Sequence, residues 1–331
     1  MTRFRDLRRC GARMLAPLVA VAALLSACGG GTEQVESFVP TRLLVLGDEN
    51  GVIVDDGSHD GFKYSLNDRT GTTTGKCLLL PTPSQQVAAY YGFVFAACNP
   101  NAAVPKAFVH AQVGALADDA TTGLKAQLDS ITGLGGTDMA MLMIGANDVI
   151  ALYEQKKTGT LTAAQATAEA TRRGAVAAAQ INRLLNTGAR ALVFTVPEMG
   201  KSPYALVANA SDAGAATLIT ALTAAFNTAL RLGIDSTEFD GRNYGLVLAD
   251  DVVAAIERFP TSYLSAPSNK TDAVCAIGSM PQGCRIVTDT TTPANNIAAT
   301  THLWASDRHL GPAAMNQIAA QALSRAVNNP F

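Results

Sequence analysis

Four short stretches of almost uninterrupted apolar residues constrain this chain most. They are residues 42–46 (RLLVL), 139–144 (MAMLMI), 191–196 (ALVFTV) and 245–249 (GLVLA), with residues 107–111 (AFVHA) as a weaker fifth. Strands that are apolar on both sides must be covered on both faces, which parallel sheets achieve with crossover helices. Longer helical patterns stand between them, at residues 84–91, 122–131, 148–155, 162–185, 215–232, 251–258 and 312–327. The long alanine-rich pattern stops near Thr187-Gly188, and Pro312 stands at the start of the last one. Residues 93–98 read as an extended piece, and residues 261–300 are polar and loop-rich. The pattern predicts a three-layer α/β/α fold around a parallel sheet of about five strands. In such folds ligands meet the C-terminal ends of the strands. Attention therefore falls on Gly47-Asp48-Glu49 after the first strand and Gly145-Ala146-Asn147-Asp148 after the third core run.

The N-terminus reads differently. Residues 1–13 carry five arginines and one aspartate, and residues 14–25 are apolar but too short for an ordinary membrane span. Leu25-Ser26-Ala27-Cys28 follows, then glycines. A basic start, a short apolar core and small residues before a cut describe an export signal over residues 1–27. The Leu-Ser-Ala-Cys run resembles a lipobox, which implies a lipid on Cys28 and anchorage in the bacterial cell envelope. Gly29 in place of an aspartate points by analogy to the outer membrane. Residues 28–40 read as a flexible tether and residues 41–331 as one domain, with no other segment long and apolar enough to cross a membrane. Removing the signal takes five of 25 basic and one of 27 acidic residues, leaving a charge near −6. With no basic cluster either, nucleic acid is excluded as a partner.

With Cys10 in the signal and Cys28 lipidated, Cys77, Cys98, Cys275 and Cys284 remain, an even number suited to an oxidising compartment. Three pairings are open; Cys77–Cys98 and Cys275–Cys284 are favoured because each closes a local loop. No close Cys-x-x-Cys spacing and no histidine ligand pattern appears, so neither a metal nor another cofactor is expected. His59 and His110 have no partner by sequence, His302 lies near Trp304, and Asp55, Asp56 and Asp60 read as a solvated acidic loop.

The stretches at the strand ends resemble the sequence blocks of SGNH, or GDSL-type, hydrolases. The likeness runs from about residue 42 to 328. Gly47-Asp48-Glu49 matches two of three places of Gly-Asp-Ser, and Gly145 to Asp148 matches Gly-x-Asn-Asp completely. Gly114 in HAQVGA stands for the second block, and Ser306-Asp307-Arg308-His309 keeps only the histidine of Asp-x-x-His. The resemblance implies a flavodoxin-like α/β/α fold and hydrolysis of carboxyl esters, with an acyl-ester or glycan ligand. It gives Gly114 and Asn147 the role of oxyanion donors, His309 that of general base, and Gly47, Asp48, Gly145 and Asp148 structural roles in the site. Donors fixed in advance around a developing oxyanion lower the barrier by about 3–4 kcal/mol each.

Two places depart from that pattern. Glu49 stands where the nucleophilic serine belongs and Ser306 where the acid belongs, with Asp307 one place along. Glu49 cannot carry out serine-type acyl transfer, and its charge opposes the one an oxyanion hole stabilises. The first reading is thus an inactive scaffold that binds a ligand or an envelope component. The second is a hydrolase by another route, with Glu49 attacking an alkyl carbon and His309 activating water. A reversed arrangement would have Ser306 attack, and Ser58 or Ser65 are further candidate nucleophiles. Taken alone, Gly145 to Asp148 is a strand end with a helix cap, and His309 a loop histidine. Oligomeric state is not readable.

Overall fold

The computed structural model describes residues 38–70, 74–276, 278–286 and 298–327. The export signal, Cys28 and most of the expected tether lie outside the described residues.

Five strands form the core sheet: β1 (Arg42–Gly47), β2 (Ala107–Val109), β3 (Asp138–Met143), β4 (Arg190–Phe194) and β5 (Tyr244–Val247). Their order is β2-β1-β3-β4-β5, and every pair is parallel. This 2-1-3-4-5 order is the flavodoxin-like doubly wound arrangement, and the fold is the α/β class expected. Side chains alternate along each strand, so each strand feeds two cores. Leu44, Leu46, Ala140, Leu142 and Val193 face one core; Leu43, Val45, Met139, Met141 and Leu192 face the other.

The first core is closed by α2 (Leu124–Asp129), α3 (Ala146–Lys157), α4 (Ala163–Leu185) and α6 (Ala215–Gly233). The second is closed by α1 (Pro83–Tyr90), α7 (Ala249–Arg258) and α8 (Pro312–Val327). Local chemistry sets several helix starts. Thr82 and Thr162 each form a capping box with the glutamine three residues on. Helix α5 (Pro203–Ser211) was not anticipated, although Ser202 as N-cap and Pro203 as first residue are start signals.

Several expectations need correction. Residues 93–98, read as an extended piece, make isolated bridges at Phe95 and Cys98. Within residues 261–300 a strand β6 (Asn269–Ala273) pairs in parallel with β7 (His302–Trp304). The helix after β3 begins at Ala146, so Asn147 lies in its first turn and Gly145 is the cap. By length and composition α6 can also cross a membrane. It buries Ile219, Leu222, Phe226 and Leu230 within the first core, as a core helix does. The cysteines pair as Cys77–Cys98 and Cys275–Cys284.

Candidate functional site

Strands β1 and β3 end together, with Gly47 opposite Met143. The chain must turn sharply at that rim. Gly47 adopts φ +120, and a Cβ there would lie 1.7 Å from the Met143 carbonyl oxygen. Gln127, which sequence reasoning missed, fixes the turn from α2. Its Oε1 accepts from Gly47 N at 2.7 Å and its Nε2 donates to Gly47 O at 2.8 Å. Asp48 then caps the single turn Glu49–Gly51 by accepting from Asn50 N. Burial, and next the charge of Glu49, push the Asp48 carboxyl well above its ordinary range.

That turn aims Glu49 at the residues named by the resemblance. Glu49 Oε2 accepts from Gly114 N at 2.9 Å and from Asn147 Nδ2 at 2.7 Å. Glu49 Oε1 lies 3.4 Å from His309 Nε2. Gly114 can present its N–H this way at φ +74, and Asn147 reaches down from the first turn of α3. Asp148, fully buried, accepts from Ala117 N and thereby ties α3 to the segment just after Gly114. Its other partner is Arg173 of α4 at 3.2 Å, a residue no motif pointed to. Burial raises Asp148 to about 6 despite both donors. Asp148→Ala leaves Arg173 its second partner, Glu169 at 3.2 Å, but strips Ala117 N of its buried acceptor, and is expected to cost about 1–3 kcal/mol in urea unfolding.

The turn at residues 306–309 holds His309. Ser306 Oγ accepts from the N–H groups of Arg308 and His309 and lies 2.7 Å from His309 Nδ1. Asp307 instead pairs with Arg308 at 3.1 Å. The polar network assigns the ring protons. An ionised Glu49 only accepts, so Nε2 carries a proton toward it; in the neutral ring Nδ1 then accepts the Ser306 hydroxyl proton at 2.7 Å, in preference to the more distant Asp307 Oδ1 at 3.3 Å. A serine-hydrolase triad needs the reverse, with Nε2 free to take a proton. Ser306 is 1% exposed, which removes it as an attacking group. Ser65 Oγ donates to the Leu310 carbonyl, and Ser58 sits on the exposed acidic loop against Asp56. Tyr64, also missed, packs its ring 5.4 Å from that of His309. His59, His110 and His302 engage Asp55, Ser130 and Thr301 respectively, away from this cluster.

Electrostatics fix the state of Glu49. Burial alone raises its carboxyl, but the hydrogen bonds from His309, Asn147 and Gly114 outweigh burial and bring it down to about 2. A depressed carboxyl contributes stability that is present above the unfolded value, 4.5, and lost as pH falls toward 2. The shift corresponds to about 3 kcal/mol. Asp48 and Asp148, both raised, act with the opposite sign and subtract stability as pH rises above 3.8. Glu49→Gln removes the first effect and also takes away the charge that raises Asp48, which returns part of the second. In urea unfolding the wild type should exceed the variant by up to about 3 kcal/mol at pH 6, and the gap should close toward pH 2. A constant gap across that range contradicts the assignment.

Behind Asp48 an apolar cavity of about 40 Å³ is lined by Met143, Phe194, Val196, Leu310 and Ile318 among others. It has room for a water-sized group and not for an acyl chain.

No protein-family model matches the sequence, and no curated protein does. Solved structures similar to it include two hydrolases. Phospholipase A1 from Streptomyces albidoflavus is 15% identical with a TM-score of 0.43, over 87% of this chain and 100% of that one. An α/β hydrolase enzyme from the metagenome of Lake Arreo, Spain, is also 15% identical with a TM-score of 0.43, over 89% and 98%.

Proposed function

We propose that this chain is a degenerate SGNH-type ester-hydrolase scaffold that binds its ligand without serine-type cleavage. The observation that carries the reading is the seat of the Glu49 carboxylate. It accepts from Gly114 N and Asn147 Nδ2, the two donors that the sequence likeness assigns to an oxyanion hole. A fixed anion in that seat stands in for the charge of a tetrahedral intermediate and keeps a substrate carbonyl oxygen out. Since catalysis requires tighter binding of the transition state than of the ground state, filling the hole removes the differential term. In the same reading the chain is exported and held by a lipid on Cys28 in the bacterial outer membrane, and its ligand is an acyl compound or a glycan.

The test is turnover of short and long p-nitrophenyl esters by purified protein beside Asn147→Ala. The expected result is no turnover above the Asn147→Ala background, with thermal stabilisation by a bound ligand. Turnover that Asn147→Ala abolishes overturns the reading. The 3.4 Å approach of His309 Nε2 to Glu49 favours one second reading: Glu49 attacks the alkyl carbon of a substrate ester and expels its carboxylate, and water deprotonated by His309 then adds to the carbonyl carbon of the Glu49 alkyl ester and releases the alcohol. Against it stand the three donors that hold the carboxylate and weaken it as a nucleophile. Mass labelling of Glu49 oxygen during turnover in ¹⁸O-water separates the two.

A further inference from the structure

A second cavity, of about 710 Å³, opens beside the turn that carries His309. Its volume falls within the roughly 300–1,000 Å³ range of small-molecule sites. One wall is α5, which contributes Pro203, Leu206, Val207 and Ala210. This i, i+3, i+4, i+7 spacing puts the four residues in a stripe on one side of a helix that is apolar nearly all round. Here the stripe faces a groove rather than the core, and Leu206 and Val207 are 38% and 65% exposed. Ala273 and Cys275 also line the groove.

The polar part of the lining is built around Arg308. Its Nε and Nη2 donate to Asp307 Oδ2 at 3.2 and 3.1 Å, and its guanidinium carbon lies 5.1 Å from the Tyr204 ring centre. Nη1 has no protein partner among the described residues, so one face of the fork can take a further acceptor. Lys157 stands in the same lining, only loosely paired with Glu154 at 3.7 Å. Two of the three carboxylates in the lining face a cation, Glu154 with Lys157 and Asp307 with Arg308, while Asp272 is held by the neutral Asn269 and keeps its charge.

We propose that this groove binds a long-chain free monocarboxylate, its chain along the α5 stripe and its carboxylate on Arg308. The inference rests on the reading of a blocked centre. Glu49 denies an incoming carboxylate the Gly114 and Asn147 donors, so an anionic headgroup must find its cation outside the hole. Arg308 is adjacent in sequence to His309 and offers an unused donor in the groove lining.

The experiment is a fluorescence titration of the purified protein with cis-parinaric acid, followed by displacement with palmitate, methyl palmitate or octanoate. Saturable binding is expected, with palmitate displacing the probe at least tenfold better than either competitor. Val207→Asp, at an exposed position, should weaken probe binding at least tenfold while its thermal melt stays unchanged. Arg308→Gln should erase the preference for palmitate over its methyl ester. Absence of saturable binding overturns the proposal, as does unaltered binding by Val207→Asp or equal displacement by acid and ester. Ester turnover by the wild type would instead defeat the blocked-centre reading and leave these titrations to stand or fall separately.

Discussion

Glu49→Ser combined with Ser306→Asp is expected to hydrolyse p-nitrophenyl butyrate at least about 100-fold faster than the parent chain, the order of rate effect of one oxyanion donor. The first change removes the carboxylate from Gly114 N and Asn147 Nδ2 and leaves a hydroxyl at the start of the turn Glu49–Gly51. It also removes the acceptor that keeps a proton on His309 Nε2, so that nitrogen can take the serine proton. The second change puts a carboxylate where Ser306 Oγ now lies 2.7 Å from His309 Nδ1. That carboxylate fixes the tautomer a triad requires. Adding Asn147→Ala to the double variant should reduce kcat by about 10²–10³ with little change in KM, since the donor acts on the transition state. A folded double variant with no activity would show that the rim is unfit for acyl transfer for reasons beyond Glu49. The single variant Ser306→Asp should stay inactive, because the hole remains filled.

Gly47→Ala is expected to abolish folding, with a loss exceeding about 4–5 kcal/mol, a size seen only for severe core defects. The added Cβ would lie 1.7 Å from the Met143 carbonyl oxygen and 2.4 Å from its carbon, both on the backbone of a neighbouring core strand. No rotamer relieves a backbone clash. The residue also holds φ +120, a region that L side chains rarely adopt. Moving the rim to make room would break the Gln127 clamp and the Asp48 N–H bond to Met143 O. The measurement is soluble yield and the urea midpoint. Gly241→Ala, where nothing lies within 4 Å of a built Cβ, serves as the control and should be within about 0.5 kcal/mol of wild type. Equal stability of the two variants would show that the tight approach of β1 to β3 is not a constraint.

Both outcomes turn on a rim whose ingredients differ in how openly the sequence displays them. Apolar runs such as RLLVL and MAMLMI are legible because strands covered on both faces leave no polar position to disguise them. The capping boxes at Thr82 and Thr162 are legible because their chemistry is local. Gln127 and Arg173 were invisible. A glutamine and an arginine on helices read as solvent-facing polar residues until a strand end 80 residues away, or an aspartate 25 residues away, is brought against them. Tyr64 escaped notice for the same reason, since its neighbour His309 comes from the far end of the chain. Helix α5 is hard to read in the sequence because its apolar residues continue around to an exposed side, which blurs the periodicity expected of a surface helix.

The sequence by itself determined the layered α/β fold, the order of the segments, and the anomaly of an acid at position 49. These follow from local patterns: hydrophobic period, caps and residue identity. Only the tertiary structure decided what the acid does. Whether Glu49 points to solvent, attacks, or occupies the seat between Gly114, Asn147 and His309 depends on three loops meeting within hydrogen-bond reach, 65, 98 and 260 residues apart. The same convergence settles its charge, because burial and three donors act in opposite directions and their balance exists only once the sheet has brought the donors together.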